Sequence, residues 1–206
     1  MFSLQNIKNK IKLKQIAAFF AFILMLLLGT TSAFAEWAVD ESFEGGVIPA
    51  DWTIYDVNND GDQWMAYENA SYAHTGNWAA FVGCYTNDGD DWLITPQVTV
   101  QAGDSFSFFA RAWYDVENFD VKLSTGGNAI SSFTVTLESV TGATSDYVEY
   151  SYDLTAYAGL NIYLGIHWMQ DTYGFLVDDV KVGQPVATDA GMLAIPSPEE
   201  YEEVYA

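Results

Sequence analysis

The sequence predicts an all-β protein, a jelly-roll β-sandwich, and three observations support that prediction. Apolar and polar residues alternate with a period of two over most of residues 37–182, as expected for half-buried antiparallel strands. Short clusters of Gly, Asn, Asp and Pro interrupt the alternation at frequent intervals, which is typical of sandwiches built from many short strands. No long stretch after residue 35 has the spacing of an amphipathic helix.

The first 35 residues have the features of an export signal. Four lysines within residues 8–14 precede an apolar run over residues 16–28, and Ala33-Phe34-Ala35 has the A-x-A form of a cleavage site. The apolar run has roughly 13 residues, fewer than the about 20 that span a bilayer. We therefore expect residues 1–35 to be a cleaved signal peptide that leaves no transmembrane anchor, and a secreted, extracellular product at a bacterial cell surface. An uncleaved membrane anchor is the alternative.

The charge of the chain narrows the possible partners. The sequence has 28 acidic and 7 basic residues, a formal charge of −21. Four of the basic residues lie in the leader, so residues 36–206 have only three against all 28 acids. Nucleic acid is excluded as a partner, because phosphate binding requires dense Lys and Arg. Self-repulsion of this size destabilises a compact state, and bound cations are the simplest way to relieve it.

The strands follow one another with one apolar face each. In chain order, these faces contain Val39, Glu41 and Phe43; Phe106, Phe108, Ala110 and Ala112; Phe119, Val121 and Leu123; Phe133, Val135 and Leu137; Val148, Tyr150, Tyr152 and Leu154; Ile162, Leu164, Ile166 and Trp168; and Leu176, Asp178, Val180 and Val182. Turn sequences that tolerate positive φ separate them: Gly45-Gly46, Asn59-Asp60-Gly61, Asn87-Asp88-Gly89, Gly126-Gly127-Asn128 and Thr141-Gly142. Residues 36–183 are thus predicted to form one β-sandwich domain.

The character of the chain changes after the last strand. Residues 184–206 lack the alternation and end in an acidic run over residues 199–203. We interpret this segment as a linker and acidic tail, or as the start of a further, incomplete domain.

Two carboxylates fall on predicted apolar strand faces. Asp178 alternates with Leu176 and Val180, and Glu41 lies between Val39 and Phe43. Burying an ionised carboxylate is costly unless it is paired or coordinates a metal. The first and last strands of a jelly roll commonly lie close together, so the two acids could share a calcium ion, which prefers oxygen ligands. The alternative is that Asp178 accepts backbone hydrogen bonds.

The turn at residues 56–62 is a second candidate for calcium. Asp56, Asn58, Asp60 and Asp62 place oxygen-bearing side chains at alternate positions, with a glycine in sixth place, as in the first half of an EF-hand loop. Tyr67 stands where an EF-hand has its bidentate glutamate and no helices flank the turn, so a true EF-hand is excluded. A polar Asx-rich turn is the alternative. Residues 87–91, which end in Asp91, form a third acidic turn.

Catalysis is not favoured by the residues present. His74 and His167 lie in different segments, and no G-x-S-x-G or H-E-x-x-H motif occurs. Pairs of acids could hydrolyse glycosides, but among 28 acids such pairs arise by chance. We therefore predict that the chain is not an enzyme.

Aromatic residues near polar turns have two interpretations. Tyr72, Tyr85, Tyr114 and Tyr173 lie beside Asn, Asp or Gly residues. They could pack at the rim of the core, or they could stack on sugar rings as in lectin-like modules. The sequence favours packing and identifies no single ligand contact.

The order of the motifs resembles the cleaved-adhesin family, also described as choice-of-anchor J domains, which includes the haemagglutinin/adhesin domains of gingipain proteases. The resemblance covers about residues 39–182. Its motifs are Glu41 to Gly46, Ile48 to Trp52, Asp60 to Trp64, His74 to Gly76, Asp91 to Pro96, Asp153 to Gly159 and Leu176 to Val180.

This resemblance implies a jelly roll related to galactose-binding-like and MAM-like folds, calcium as the cofactor, no catalysis, and adhesion to an extracellular protein or glycan. It assigns calcium ligation to acids and an amide at loop and strand ends, namely Glu41, Glu44, Asp56, Asn58, Asp60, Asp62, Asp91, Asp178 and Asp179. The leading hypothesis is a secreted calcium-binding adhesion module. A structural spacer domain of a larger cell-surface system is the main alternative, and a glycoside-active enzyme is a distant third.

Overall fold

The computed structural model describes residues 37–83, 89–169 and 173–184. The chain divides into two units, Met1–Phe34 and Ala35–Ala206, and all described residues belong to the second. The predicted signal peptide and nearly all of the predicted tail lie outside the described residues, as does most of the turn at residues 87–89. In the described ranges no helix is long and apolar enough to cross a membrane.

Strands account for nearly all the regular structure in these ranges, because the alternating pattern is continuous from one turn to the next. The strands are β1 (Val39–Glu41), β2 (Thr53–Asp56), β3 (Met65–Glu68), β4 (Trp78–Val82), β5 (Asp91–Ile94), β6 (Val98–Thr99), β7 (Ser105–Ala112), β8 (Glu117–Ser124), β9 (Val135–Ala143), β10 (Val148–Asp153), β11 (Asn161–Trp168) and β12 (Phe175–Gly183). Two short 3-10 helices, Ile130–Ser132 and Thr155–Tyr157, lie in the connections.

The strands form two antiparallel sheets. Sheet I has the order β10-β7-β12-β4-β3, with β1 pairing with β12 beyond the end of β4. Sheet II has the order β2-β5-β11-β8-β9, with β6 pairing with β11. Apart from the consecutive pairs β3–β4 and β8–β9, neighbouring strands in each sheet are distant in sequence, as in a jelly roll, so the fold depends on long-range pairing. The predicted β-sandwich is confirmed.

The core lies between the inner faces of the two sheets. In β7 the apolar residues from Phe106 to Ala112 are buried at every second position, as the sequence predicts. In β11 the predicted apolar face from Ile162 to Trp168 is likewise buried. Phe108 contacts Phe119 across the sandwich, with ring centroids 6.2 Å apart. Phe133 is buried as well, but it follows a 3-10 helix, and β9 begins only at Val135.

A β-bulge interrupts β12 and changes the direction of its side chains. Asp178 pairs with Phe109 of β7, and the register then shifts so that Lys181 pairs with Ser107. The bulge includes Asp179, whose φ of +48° lies in the left-handed region. One extra residue on the bulged strand reverses the alternation that follows it.

The bulge corrects the prediction for the last strand. Val180 and Val182 belong to the core between the sheets, whereas Leu176 is buried but lies outside that core cluster. Asp178 pairs with an outward residue of β7 and so lies on the outer face of sheet I. The prediction that Asp178 shares a face with Val180 and Val182 is therefore wrong, although the carboxylate is completely buried.

Candidate functional site

An acidic turn and two further acids at the start of β5 meet at one end of sheet II. Strand β2 ends at Asp56 and β5 begins at Asp91, and these two residues are directly paired. The backbone N–H of Val57 donates to the carbonyl of Asp90 at 3.0 Å, which continues the contact beyond the strands. The turn at residues 56–62 is far in sequence from Asp90 and Asp91, but the pairing of β2 with β5 brings them together.

The turn at residues 56–62 is organised by its own carboxylates. Asp56 accepts hydrogen bonds from the backbone N–H groups of Asp60 (3.3 Å) and Gly61 (3.0 Å). Asp60 accepts from the N–H of Asp62 at 2.9 Å and from the side-chain amide of Asn58 at 2.9 Å. This is the Asx-rich turn that the sequence allowed as an alternative, and its Asp56 and Asp60 are near enough to Asp91 to raise the pKa of that carboxyl.

Asp91 is a buried carboxylate without a hydrogen-bond partner. Its side chain is 0% exposed, and neither carboxylate oxygen has a partner of acceptable geometry. Burial raises the pKa of Asp91 to about 7, and the nearby carboxylates of Asp56, Asp60 and Asp90 add to that effect. An unpartnered buried acid is normally neutralised or bound to a cation. At neutral pH, Asp91 therefore requires a proton or a positive charge.

Asp90 is a member of this group that the sequence did not single out. Its Oδ1 lies 2.6 Å from Nε2 of His167, whose ring stacks on Trp92 with centroids 4.2 Å apart. Burial lowers the pKa of His167, although Asp90 opposes the effect. With its pKa lowered, His167 is uncharged at neutral pH. Its Nε2–H then donates to the carboxylate of Asp90 and fixes the orientation of that side chain. The pairing of β11 with β5 places the two side chains together, and no local sequence pattern indicates it.

A second group of acids holds the loop at residues 69–77 against the outer face of sheet I. Asp178 Oδ2 accepts the backbone N–H groups of His74 (2.8 Å) and Thr75 (3.1 Å). Asp179 contacts the side chains of the same two residues, His74 Nδ1 at 2.6 Å and Thr75 Oγ1 at 2.7 Å. Burial raises the pKa of Asp178 to about 6, with backbone hydrogen bonds opposing the effect. The predicted alternative, backbone hydrogen bonding by Asp178, is present.

Glu44 and Glu41 complete the set of predicted ligands near this loop. Glu44 Oε1 accepts the backbone N–H groups of Asn77 and Trp78, both at 2.8 Å. Glu41 is half-buried and accepts the N–H of Phe43 at 2.5 Å. It pairs with Val180, which faces the core. The first and last strands do lie side by side, but the bulge puts Glu41 and Asp178 on opposite faces, so the expected joint site of these two acids does not form.

Neither acidic group is a ready-made metal centre. Within the described ranges no three His, Cys, Asp or Glu side chains are already arranged around a common point as metal ligands. In the group at Asp91, however, the donor set is all oxygen and includes one carboxylate with both oxygens unused. Such a donor set fits Ca²⁺, which accepts six to eight oxygens in flexible geometry. Asp56 and Asp60 would contribute by turning oxygens from the Asx-turn hydrogen bonds towards the ion.

The outer face of sheet I is covered by aromatic rings instead of being simply polar. Tyr72 stacks on Trp113 with centroids 4.3 Å apart, and Trp113 also contacts Tyr67 and Phe81. The guanidinium of Arg111 lies 5.2 Å from the ring centre of Tyr72. The sequence favoured packing for Tyr72, and the rings around it form a small second hydrophobic layer outside the sandwich.

The histidines do not form a catalytic arrangement. In the part of the chain that is described, His74 and His167 bond to the carboxylates of Asp179 and Asp90, and neither imidazole bonds to a Ser, Thr or Cys nucleophile. Each histidine stacks on an aromatic ring, Phe109 or Trp92. In the described ranges the two histidines therefore hold the carboxylates of Asp179 and Asp90 in place.

Comparison with known proteins gives a consistent result. A family model described as the Cleaved Adhesin Domain matches residues 37–182. Hemagglutinin A of Porphyromonas gingivalis is 30% identical over 178 residues, an alignment that covers 71% of this chain and 7% of the relative. The chain thus spans less than a tenth of the length of this curated relative.

Solved structures share the fold. The K3 cleaved adhesin domain of Lys-gingipain from P. gingivalis W83 superposes with a TM-score of 0.63 at 21% identity, over 72% of this chain and all of that domain. TmCBM61, solved in complex with β-1,4-galactotriose, superposes with a TM-score of 0.53 at 16% identity, over 70% of this chain and 94% of that one. At these identities the similarity establishes a common β-sandwich architecture.

Proposed function

Because the chain belongs to the cleaved adhesin domain family, whose model matches residues 37–182, we propose that it is a non-catalytic, calcium-binding adhesion module. The module is secreted to the bacterial cell surface and recognises an extracellular protein or glycan there. The chain covers only a small part of its curated relatives, so the activities of those larger proteins are not carried over.

The observation that carries the calcium part of the proposal is the unpartnered carboxylate of Asp91. A completely buried acid beside Asp56, Asp60 and Asp90 is unfavourable unless its charge is compensated. A divalent cation compensates several carboxylates at once. It would join the turn at residues 56–62 to the start of β5, because each contributes ligands.

A second calcium position at Glu44, Asp178 and Asp179 is supported less strongly. Oxygens of these acids already accept hydrogen bonds from backbone and side chains of residues 74–78. Their present role is to hold that loop on sheet I. An ion at this position would compete with the hydrogen bonds that the carboxylates accept from residues 74–78. At Asp91 an ion would instead bind oxygens that accept no hydrogen bond.

The adhesive part of the proposal is supported by family membership and by the shape of the domain. The sandwich presents loops at its ends and an aromatic layer on sheet I, and both offer surfaces for recognition. A structural neighbour, TmCBM61, is described in complex with a galactotriose. A glycan is accordingly one of the two ligand classes proposed for this chain, the other being an extracellular protein.

The test is solid-phase binding of the full chain to immobilised extracellular-matrix proteins and to a glycan array, in calcium and in chelator. The account predicts saturable binding to at least one of these surfaces, reduced when calcium is removed. Absence of binding to every surface in calcium would favour the alternative of a structural spacer domain. Turnover of any glycan on the array would contradict the non-catalytic assignment.

A further inference from the structure

We propose that a pocket formed by Tyr114, Asp115 and Tyr173 binds one or two rings of an uncharged glycan. The pocket is an open depression of about 460 Å³, and these three residues line it within the described part of the chain. It lies where the chain leaves β7 and where it enters β12, two strands that are neighbours in sheet I. The inference rests on the proposed adhesive function and narrows its ligand to a chemical class and a place.

The two tyrosine rings are exposed and stand nearly at right angles. Their centroids are 5.6 Å apart with an interplanar angle of 76°. The side chains of Tyr114 and Tyr173 are 65% and 52% exposed, whereas most other aromatic residues described are buried or half-buried. Large exposed apolar side chains that are grouped mark interaction sites more often than isolated ones do.

The backbone beneath these rings is fixed. The N–H of Trp113 donates to the carbonyl of Gly174 at 2.8 Å, which ties the two segments together. Position 174 must be glycine, because a Cβ there would lie 2.6 Å from a ring carbon of Phe81 and 2.7 Å from the carbonyl oxygen of Val82. Tyr173 itself has φ of +52°, a conformation that non-glycine residues rarely adopt. A strained backbone that presents an exposed ring is a recurrent feature of ligand sites.

The lining matches a sugar in its chemistry. A pyranose ring has one apolar face of C–H groups and an edge of hydroxyls. The exposed faces of Tyr114 and Tyr173 offer apolar contact, and Asp115 is an exposed acceptor at the same place whose Oδ1 already receives the N–H of Val116. Aromatic walls with a small number of polar groups are typical of small-molecule pockets, and about 300 to 1,000 Å³ is their usual size.

The charges on the described surface favour an uncharged sugar over an acidic one. Lys122 pairs with Asp120 at 2.9 Å and Lys181 with Asp40 at 3.5 Å. Arg111, the remaining Lys or Arg in the described ranges, lies between the rings of Tyr72 and Tyr147. None of the three lines the pocket, and the formal charge of −21 repels anions.

The size of the pocket argues against a single organic cation. A carboxylate between tyrosines also suits an ammonium group. However, such a group would occupy only a small part of 460 Å³ and would leave most of both rings uncovered. An uncharged sugar of one or two rings uses the rings and the carboxylate together.

The experiment compares four forms of the full chain on an array of immobilised oligosaccharides that contains neutral, sialylated and uronic-acid members. The forms are wild type, Tyr114→Ala, Tyr173→Gly and the control Leu160→Ala, which shortens an exposed side chain that does not line the pocket. Tyr173→Gly removes the ring and relieves the positive φ, so the variant stays folded. Thermal unfolding of each form checks that the substitution has not reduced the stability of the domain.

The expected result is binding of wild type and Leu160→Ala to neutral oligosaccharides, with at least tenfold weaker binding by both tyrosine variants at unchanged stability. Equal binding by the tyrosine variants, or binding only to sialylated or uronic-acid glycans, overturns the pocket assignment. Displacement of the bound glycan by choline would identify a cation site instead. If the chain binds matrix proteins but no glycan, the pocket assignment fails and the adhesive function stands; if it binds nothing, both fail.

Discussion

Asp56 and Asp91 are paired directly across strands β2 and β5, and the carboxylate of Asp91 is completely buried beside that of Asp56. Two like charges at paired positions destabilise a sheet, and burial of one of them adds a desolvation cost. The arrangement is favourable only when Asp91 is protonated or when a cation lies between the carboxylates. The stability of the domain is therefore linked to pH, and under the proposed function to calcium as well.

The first prediction concerns pH in the absence of metal. The folded-state pKa of Asp91 is about 7 and that of Asp178 about 6, both above the ordinary value of 3.8. The folded protein therefore keeps protons that the unfolded chain has already lost, and the free energy of unfolding falls as the pH rises from about 4 to about 7. The contribution of Asp91 is on the order of 4 kcal/mol at most.

Chemical unfolding in chelator at pH 5 and pH 8 measures this dependence. Asp91→Asn should reduce the difference between the two pH values, whereas Asp146→Asn, which removes an exposed charge, should leave most of it. The control separates the buried group from the general repulsion of a highly acidic chain. Equal pH dependence in both variants would contradict the assignment.

The second prediction concerns the loop that Asp178 holds. Asp178→Ala leaves the backbone N–H groups of His74 and Thr75 without their acceptor. The expected cost is about 1 to 3 kcal/mol of unfolding free energy, because two part-buried hydrogen bonds to a carboxylate are lost. Asp40→Ala breaks only an exposed pair with Lys181 and should cost less than about 1 kcal/mol. Denaturant unfolding of both variants would show whether the difference exists.

The third prediction concerns Gly76. It has φ of +64°, and a Cβ at this position would collide with the carboxylate of Glu44. Gly142 also has positive φ, +76°, but nothing lies near its missing side chain. Both alanine variants carry a backbone strain of about 1 kcal/mol or more. Gly76→Ala should be the more destabilised of the two, since it also displaces Glu44 from Asn77 and Trp78; similar losses would mean that the Glu44 contact contributes little.

The fourth prediction compares two buried tryptophans. The Nε1–H of Trp168 donates to Glu117 at 2.9 Å, while Nε1 of Trp64 is buried without a partner. Replacing either by Phe removes a similar volume, but only Trp168→Phe removes a hydrogen bond to a buried acid. We expect Trp168→Phe to be more destabilising than Trp64→Phe by about 1.5 to 3 kcal/mol. Thermal unfolding of the pair would show similar losses if the bond to Glu117 were unimportant.

The sequence predicts the sandwich well. The strands at residues 106–112 and 162–168 bury the apolar residues at alternate positions, and the same alternation of apolar and polar residues is present in the sequence. The direction of Asp178 was not predictable, since the bulge depends on one extra residue relative to β7 and changes no local pattern. The burial of Asp91 was equally unpredictable from the sequence. Strand β5 lies between β2 and β11 and is buried at every position, so only the sheet order reveals it.

The candidate sites differ in the same way: local spacing predicts some of their contacts, and only the order of the strands brings the others together. The turn at residues 56–62 forms local Asx hydrogen bonds and was identified from spacing alone. Its neighbour Asp90 directly precedes β5 and His167 lies in β11, and no spacing rule connects them. The pocket at Tyr114 and Tyr173 likewise depends on strands β7 and β12 being adjacent, although both tyrosines stood out as aromatics beside polar residues.

The central claim is that calcium binds at Asp91. Thermal unfolding of wild type and Asp91→Asn at pH 7.5, each in calcium and in chelator, tests it most directly. A ligand at about 100 times its dissociation constant adds about 2.7 kcal/mol, or roughly 5 to 10 °C for a chain of this size. The account predicts a shift of that order for wild type, little or none for Asp91→Asn, and a higher melting temperature for Asp91→Asn than for wild type in chelator. An equal calcium shift in both proteins, or none in wild type, would contradict it.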